Sequence, residues 1–388
     1  MATRLGRLAI VVGALLSMAG AASPPAVSDR VAEARKTVEE VRGRTFRRPV
    51  PSETVGPEKL RTLLSRKLSE GLVVAPEAYF RSLAAIGAIS DADLPHLLDR
   101  LLDFYGGEVL AFYDPAEGRF FVSSSGKERL GGFGGMEETL VFTHELTHAL
   151  QDQYLSLDGR LRALKSDGDA ALAMDALLEG EATEVMIESA VKDLPGGEDG
   201  VEAMLAPLLT ASLSDLDPDA AKVPSFFSEQ LLFPYSEGTA YVRQIRKRGG
   251  WKAIDALWSS LPASSAEILH AGSRRPAPGG PLLADRAVAP PAGGAFLYSD
   301  TLGEWTLRFL FRKASVADAD AAAAAWRADR FLFFTSGDRV AYAGRIRADD
   351  AADARRILEA WKRSSPAAAG SVDGTDVTVW SGFDKTPL

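Results

Sequence analysis

The chain has 388 residues, 46% of them hydrophobic, with no cysteine and a formal net charge of −9. A chain of this length can bury a sizeable core without disulfide bonds, and the lack of cysteine excludes thiolate metal ligands. The acidic balance argues against nucleic-acid binding and favours solubility, but it does not indicate a fold.

The first 22 residues are predicted to form a cleaved signal peptide. Arg4 and Arg7 make the start basic, and residues 8–22 are apolar over a length too short to span a bilayer comfortably. Ala19-Gly20-Ala21 fits the small-x-small rule for cleavage, with Ala22 as an alternative end. Loss of the two arginines would take the formal charge from −9 to −11. We therefore expect a periplasmic or secreted protein without a further membrane span; the alternative is an uncleaved single-pass anchor.

Helices and one hairpin are predicted in the first part of the mature chain. Apolar spacing predicts helices over 28–42, 57–71, 76–86 and 91–103. Two β-rich runs, 109–113 and 119–123, flank Asp114-Pro115-Ala116-Glu117-Gly118 and predict a β-hairpin. The edge of this hairpin could add an extended peptide substrate, or the hairpin could be purely structural.

The segment Phe142-Thr143-His144-Glu145-Leu146-Thr147-His148 contains His-Glu-x-x-His in a predicted helix that follows the glycine loop Gly131–Gly135. Residues four apart lie on the same helix face, so His144 and His148 could bind one Zn²⁺ from neighbouring turns. Glu145 would then be the general base for a metal-activated water. The alternative is an ordinary helix with half-buried or solvated histidines.

A zinc site needs a third protein ligand, and a carboxylate on a following helix is the simplest source. Residues 170–190 predict such a helix, and the candidate carboxylates in it are Glu179, Glu181 and Glu184. Asp152, four residues after His148, is predicted either to accept the outer imidazole N–H or to be a solvated acid at the helix end.

These features resemble the gluzincin type of zinc metallopeptidase, in which the second helix carries Glu-x-x-Ala. Glu179 followed by Ala182 has that form. Thr183 stands where many relatives have an acid, so that part of the pattern is not kept. The resemblance implies that the metal ligands are His144, His148 and Glu179 and that the catalytic base is Glu145. Glu181 and Glu184 remain competitors for the third ligand position.

Four segments extend the resemblance to a poorly characterised family of exported bacterial and archaeal zincin-like proteins. The segments are His144–Gln153, Leu178–Gly180, Phe112–Pro115 and Ile268–His270. In patches, they span the part of the chain between residues 40 and 275. The resemblance implies a metallopeptidase-like domain, but it does not imply a substrate.

Peptide hydrolysis also requires a donor that stabilises the developing oxyanion. Tyr235 is the first candidate, because Tyr235-Ser236-Glu237-Gly238 has the Tyr-x-x-Gly form found in some gluzincin aminopeptidases. His270 is the second, since thermolysin-like enzymes use an imidazole, and Tyr241 is the third. Each of the three could instead be structural.

The C-terminal part of the chain predicts a separate small unit. A helical stretch over 228–248 and a short helix over 251–257 precede residues 272–294, which are rich in Pro, Gly, Ala and Arg and indicate a linker or exposed loop. Helices are then predicted over 299–312, 317–328 and 349–361, with strands over 330–336, 339–346 and 376–381.

The expected fold is α+β and predominantly helical. Its predicted parts are a signal peptide (1–22), a zincin-like metallopeptidase domain (23–275), a linker or exposed loop (276–294) and a small C-terminal α+β unit (295–388). The leading functional prediction is an exported zinc-dependent peptidase with Zn²⁺ as cofactor and a peptide or protein as substrate. The alternatives are a zincin-fold binding or scaffolding protein with a structural or vestigial zinc site, and a zinc hydrolase of a non-peptide amide.

Overall fold

The structure is a computed structural model that describes residues 27–106, 109–124, 136–191, 222–271 and 282–388, with the backbone alone at 136 and 137. Three sequence predictions lie outside the described residues. They are the signal peptide over 1–22, the glycine loop Gly131–Gly135 and residues 276–281 of the predicted linker.

The described residues form a predominantly helical α+β fold with two β-sheets, which confirms the predicted class at that level. The helices are α1 (Val27–Arg42), α2 (Pro57–Gly71), α3 (Pro76–Ala85), α4 (Leu97–Gly106), α5 (Met136–Leu155), α6 (Leu157–Ala163), α7 (Gly168–Val191), α8 (Ser225–Ser259), α9 (Ser265–Leu269), α10 (Gly303–Lys313), α11 (Ala319–Ala324) and α12 (Ala351–Ser364). The strands are β1 (Ser52–Val55), β2 (Ala111–Asp114), β3 (Arg119–Ser123), β4 (Phe296–Asp300), β5 (Trp326–Ser336), β6 (Arg339–Ala348), β7 (Ala369–Asp373) and β8 (Asp376–Ser381).

The chain divides into two compact units. The first comprises residues 1–71, 99–162 and 175–261, and the second comprises 72–98, 163–174 and 262–388. The boundary at 174/175 falls inside α7. The domain limits expected from the sequence stay a prediction.

The first unit contains a three-stranded sheet in the order β1-β3-β2. Strands β2 and β3 form the predicted antiparallel hairpin, with Tyr113 opposite Phe120, and β1 adds to β3 in parallel. Within the described residues β2 is therefore an edge strand. Helix α1 buries a stripe of Val31, Ala34, Val38 and Val41 in the same apolar cluster that contains residues of α5 and the hairpin. This spacing of three and four residues is that of one helix face, and it fixes α5 from one side.

Helices α7 and α8 cross at a distance that only glycine permits. A Cβ atom on Gly180 would lie 2.2 Å from the carbonyl oxygen of Gly238, and one on Gly238 would lie 2.2 Å from that of Ala176. Both distances are far below van der Waals contact, so each position excludes any larger residue while the backbones stay in place. The crossing brings the α8 segment around Tyr235 against the α7 segment that carries Glu179.

Three predicted helices differ from the structure. In the stretch 228–257 a single element, α8, replaces the two predicted helices, and it bends at Gly249 and Gly250, whose backbone angles are not helical. The helix predicted over 91–103 begins only at Leu97, after a 3₁₀ turn at Asp91–Asp93, because Pro95 and the left-handed His96 (φ 55°) interrupt the helical hydrogen bonds.

The second unit contains an antiparallel five-stranded sheet in the order β4-β5-β6-β8-β7. Three of its features correct the sequence predictions. Strand β4 occupies the start of the helix predicted over 299–312, β5 begins inside the helix predicted over 317–328, and β7 was not predicted. Strand β4 pairs with β5 far along the chain, Asp300 lying opposite Phe331, and such pairing overrides a local helical pattern. Strand β7 instead forms a hairpin with its neighbour β8.

No helix among the described residues has the length and apolarity needed to cross a membrane.

We predict that Gly238→Ala destabilises the protein, because its methyl group would overlap the Ala176 carbonyl. Overpacking of this kind typically costs about 1–3 kcal/mol of the free energy of unfolding, measured by urea denaturation. The matched control is Gly159→Ala in α6, where an added Cβ meets nothing within 4 Å. That variant should be as stable as the unmodified protein or slightly more so. Equal stability of both variants would show that the two helices can separate without loss.

Candidate metal centre

Helix α5 carries the His-Glu-x-x-His motif in the interior of the first unit. His144, Glu145 and His148 are 3%, 0% and 4% exposed, so the predicted alternative of solvated histidines is wrong. Leu146, Ala149 and Leu150 on the same helix are also buried. Ionisable side chains are rarely buried to this degree unless they are paired or bind a metal.

The structure brings His144, His148 and Glu179 together. The Nε2 atoms of the two imidazoles are 3.2 Å apart, and they lie 3.1 Å (His144) and 3.4 Å (His148) from Oε2 of Glu179. All three side chains are buried. Within the described part of the chain, their ligand atoms form the group that could hold a metal ion. A tetrahedral ion with ligands at about 2.0–2.1 Å separates its ligand atoms by about 3.3–3.4 Å. The observed separations fit that geometry.

The carboxylate of Glu179 and the two imidazoles shift one another's pKa values. Burial raises the pKa of Glu179, but His148 and the hydrogen bonds from both imidazoles outweigh burial and hold it at about 2. Burial lowers the pKa of His148, but Glu179 outweighs it and raises the value to about 9. Burial also lowers the pKa of His144. The carboxylate therefore stabilises a positive charge among the three ligand atoms, and a metal ion would replace the proton held there.

Gln151 determines which nitrogen of His148 carries a proton. The Nε2 atom of Gln151 donates to the carbonyl oxygen of Leu178 (3.0 Å) and to Oε2 of Glu181 (3.1 Å). Its Oε1 atom is 2.8 Å from Nδ1 of His148 and can only accept. His148 therefore donates from Nδ1, so a metal ion that replaces the proton on Nε2 would bind the lone pair of that nitrogen.

Asp152 is not the outer partner of His148, which corrects one of its two predicted roles. It accepts hydrogen bonds from the Tyr113 hydroxyl (2.7 Å) and the Leu157 backbone N–H (2.9 Å). It also pairs with Arg48 at 3.2 Å. The other role fails as well, because Asp152 is buried and not solvated.

Glu145 lies beside the ligand cluster and is held by the hairpin. Its Oε2 accepts a hydrogen bond from the backbone N–H of Tyr113 in β2 (2.9 Å), and its Oε1 is buried without a hydrogen-bond partner. Burial raises the pKa of Glu145 to about 8, the charge of Glu179 adds to the rise, and His148 opposes it. A bound cation would lower this pKa. One carboxylate oxygen is thus anchored while the other remains available.

The two competitors for the third ligand position have other partners. Oε1 of Glu181 is 2.5 Å from Nε of Arg42, and its Oε2 accepts from Trp258 Nε1 (2.9 Å). Glu184 accepts hydrogen bonds from Arg243 (2.7 Å) and Arg246 (3.0 Å). These ion pairs occupy both carboxylates, whereas Glu179 faces the imidazoles.

Of the predicted oxyanion donors, Tyr235 lies at the cluster. Its ring is 6.2 Å from that of His144, centroid to centroid, and its hydroxyl interacts with Glu179. Burial, with the charges of Glu179 and Glu145, raises the pKa of Tyr235 well above its ordinary value, which keeps the phenol protonated. His270 lies in the second unit with Nε2 2.7 Å from Oε1 of Glu304. Tyr241 is a buried residue of α8.

Lys67 is a site residue that the sequence analysis did not identify. Its ammonium group is buried on α2, 3.3 Å from Oδ1 of Asp114, and it interacts electrostatically with Glu145. Burial lowers the pKa of Lys67, and Asp114 opposes that shift. The neighbouring Arg66 is exposed. The sequence Arg66-Lys67 alone therefore does not indicate that the Lys67 ammonium group is buried while Arg66 is exposed.

Comparison with known proteins gives one match. Residues 295–386, in the second unit, match the model of a family described as a domain of unknown function (DUF8575). No curated protein and no solved structure matches the chain.

We predict that Glu179→Ala abolishes tight zinc binding, because it removes the carboxylate shared by both imidazoles. Glu184→Ala is the matched control on the same helix, since Glu184 bonds Arg243 and Arg246 and not the histidines. It should keep about one zinc ion per chain, measured by elemental analysis after dialysis. Full zinc content in Glu179→Ala, or its loss in Glu184→Ala, would contradict the assigned ligand set.

Proposed function

We propose that the protein is an exported zinc-dependent peptidase of the gluzincin type. The observation that carries this proposal is the buried convergence of His144, His148 and Glu179, with Glu145 of the same motif beside them. A three-ligand set leaves a position for substrate or water, as catalytic zinc sites do. A structural zinc site is usually closed by a fourth protein ligand, and a vestigial one has no need of the base.

The donor set supports zinc over the alkaline-earth ions. Two imidazole nitrogens and one carboxylate oxygen are ligands typical of Zn²⁺, whereas Ca²⁺ and Mg²⁺ prefer oxygen ligands in larger number. The separations of 3.1–3.4 Å between ligand atoms suit a small tetrahedral ion. Gln151 also leaves the Nε2 lone pair of His148 available to such an ion.

A zinc ion held by His144, His148 and Glu179 would supply Lewis acidity to the scissile carbonyl and to a water near neutral pH. Glu145 accepts the proton of the attacking water through Oε1 and returns a proton to the leaving amine. The Tyr113 N–H holds the other oxygen of Glu145 and thereby fixes the orientation of the base. Tyr235, as a protonated phenol at the cluster, is the proposed donor to the developing oxyanion.

A peptide substrate suits the surroundings of the proposed base. Strand β2 is an edge of its sheet within the described residues, and Tyr113 links that strand to Glu145. Strand β2 is buried and its Tyr113 N–H is taken by Glu145, so an extended peptide could add only through other backbone groups of this edge. The basic and apolar start of the chain supports export, with action on peptides outside the cytoplasm.

Zinc content and turnover on a peptide library, measured on the same preparation, test the proposal. Stoichiometric zinc together with peptide cleavage supports it. Stoichiometric zinc without cleavage, in a protein that binds peptides, favours the scaffolding alternative. Cleavage of small non-peptide amides alone favours the third candidate function.

We predict that Glu145→Gln keeps zinc but loses hydrolysis, because the amide is nearly isosteric with the carboxylate and cannot take up a proton. Removal of a general base typically lowers kcat by about 10²–10⁴-fold. Glu138→Gln is the control, since Glu138 is a buried carboxylate of the same helix that pairs with Arg30. That variant should retain most of the activity. Turnover of Glu145→Gln within a few-fold of the unmodified protein would exclude Glu145 as the base.

A further inference from the structure

A buried arginine lies behind the metal cluster. Arg42 is the last residue of α1, and its side chain is fully buried. Its Nε is 2.5 Å from Oε1 of Glu181, and its Nη2 is 2.7 Å from Oδ1 of Asp255. The rings of Trp251 and Trp258 lie 4.7 and 4.9 Å from the guanidinium carbon. Such desolvation of a charge is costly unless the charge is paired, so its partners are fixed in place.

Glu181 connects this arginine to the ligand cluster. While Oε1 is taken by Arg42, Oε2 accepts from Trp258 Nε1 (2.9 Å) and from Gln151 Nε2 (3.1 Å). The carboxylate is 0% exposed. With Arg42 and Trp258 on either side, the side chain of Glu181 has one position, and in that position it orients the amide of Gln151.

The orientation of Gln151 has a chemical consequence. With Nε2 directed to Leu178 O and Glu181, Oε1 accepts from His148 Nδ1. If the amide rotated by half a turn, its NH₂ group would face Nδ1 and select the other tautomer of the imidazole. That tautomer carries its proton on Nε2, the atom that faces His144 and Glu179, and cannot ligate a metal there.

We propose that Arg42 and Glu181 are positioning residues of the metal centre, which act through Gln151 to keep the Nε2 lone pair of His148 directed at the metal. This inference rests on the proposed zinc function. It assigns the end of α1 a role in metal affinity, although the partners of Arg42 are Glu181 and Asp255 and not the ligands. It also gives Glu181, a competitor for the third ligand position, a different role at the same site.

The test measures zinc affinity by chelator competition on purified Arg42→Met, Arg42→Lys and Gln151→Leu variants of the full chain. Loss of an outer partner of a metal ligand typically weakens affinity about 10–100-fold, and we expect this for Gln151→Leu and for Arg42→Met. Arg42→Lys keeps a cation beside Glu181 and should restore most of the affinity. The double variant Arg42→Met, Gln151→Leu should bind zinc with the same affinity as Gln151→Leu. Both changes break the same series of contacts, which runs from Arg42 through Glu181 and Gln151 to His148.

The matched control is Arg243→Met. Arg243 also pairs with a glutamate of α7, Glu184, at 2.7 Å, whereas the hydrogen bonds of Gln151 go to His148, Leu178 and Glu181. The Arg243→Met variant should bind zinc as tightly as the unmodified protein. Thermal unfolding of the metal-free variants separates lost affinity from lost stability.

Unchanged zinc affinity in Gln151→Leu and Arg42→Met would overturn the inference and leave the zinc function standing. An equal loss in Arg243→Met would also overturn it, since the effect would then be general loosening. If Arg42→Met does not fold, Gln151→Leu decides alone. Absence of zinc binding in the unmodified protein would instead contradict the proposed function itself.

Discussion

Two imidazole nitrogens and a carboxylate oxygen cannot remain 3.1–3.4 Å apart in a protein interior unless a proton or a metal ion lies among them. Without one, their lone pairs would face one another with no solvent to screen the repulsion. The cluster of His144, His148 and Glu179 therefore shares a proton, and its three ligand atoms could hold a metal ion in place of that proton. The site depends on the attraction of these three ligand atoms for one shared proton or metal ion. The fold brings the three ligand atoms together.

The helices and the hairpin of the first unit hold the groups of the site in fixed positions. Helix α5 supplies both imidazoles, and its apolar side packs in one cluster with the buried stripe of α1. Helix α7 supplies the carboxylate, and the glycine contact at Gly180 and Gly238 sets its distance from α8. The hairpin anchors one oxygen of Glu145 through a backbone N–H. Each group is thus held by a rigid helix or strand, which is the condition for a preorganised site.

The parts of this site that are local in sequence were predictable. His144, Glu145 and His148 follow from the four-residue spacing on one helix, and Glu179 follows from its resemblance to a family pattern. Gln151 could not be predicted, because its role depends on the Leu178 carbonyl and Glu181 across a helix contact. Spacing made Asp152 equally plausible, and only the packing of Tyr113 against Asp152 distinguishes the two. Ser299 and Asp300, the end of strand β4, were assigned to the start of a helix for the same reason, since the pairing of β4 with β5 is not visible in the local sequence.

The proposed metal centre holds one zinc ion between His144, His148 and Glu179. A crystal structure of the purified protein, with anomalous diffraction data collected on both sides of the zinc absorption edge, tests this assignment. We expect one anomalous peak per chain, at about 2.0–2.1 Å from the Nε2 atoms of both histidines and from a carboxylate oxygen of Glu179. A strong peak held by other residues, or no peak at this cluster in protein supplied with zinc, would contradict it.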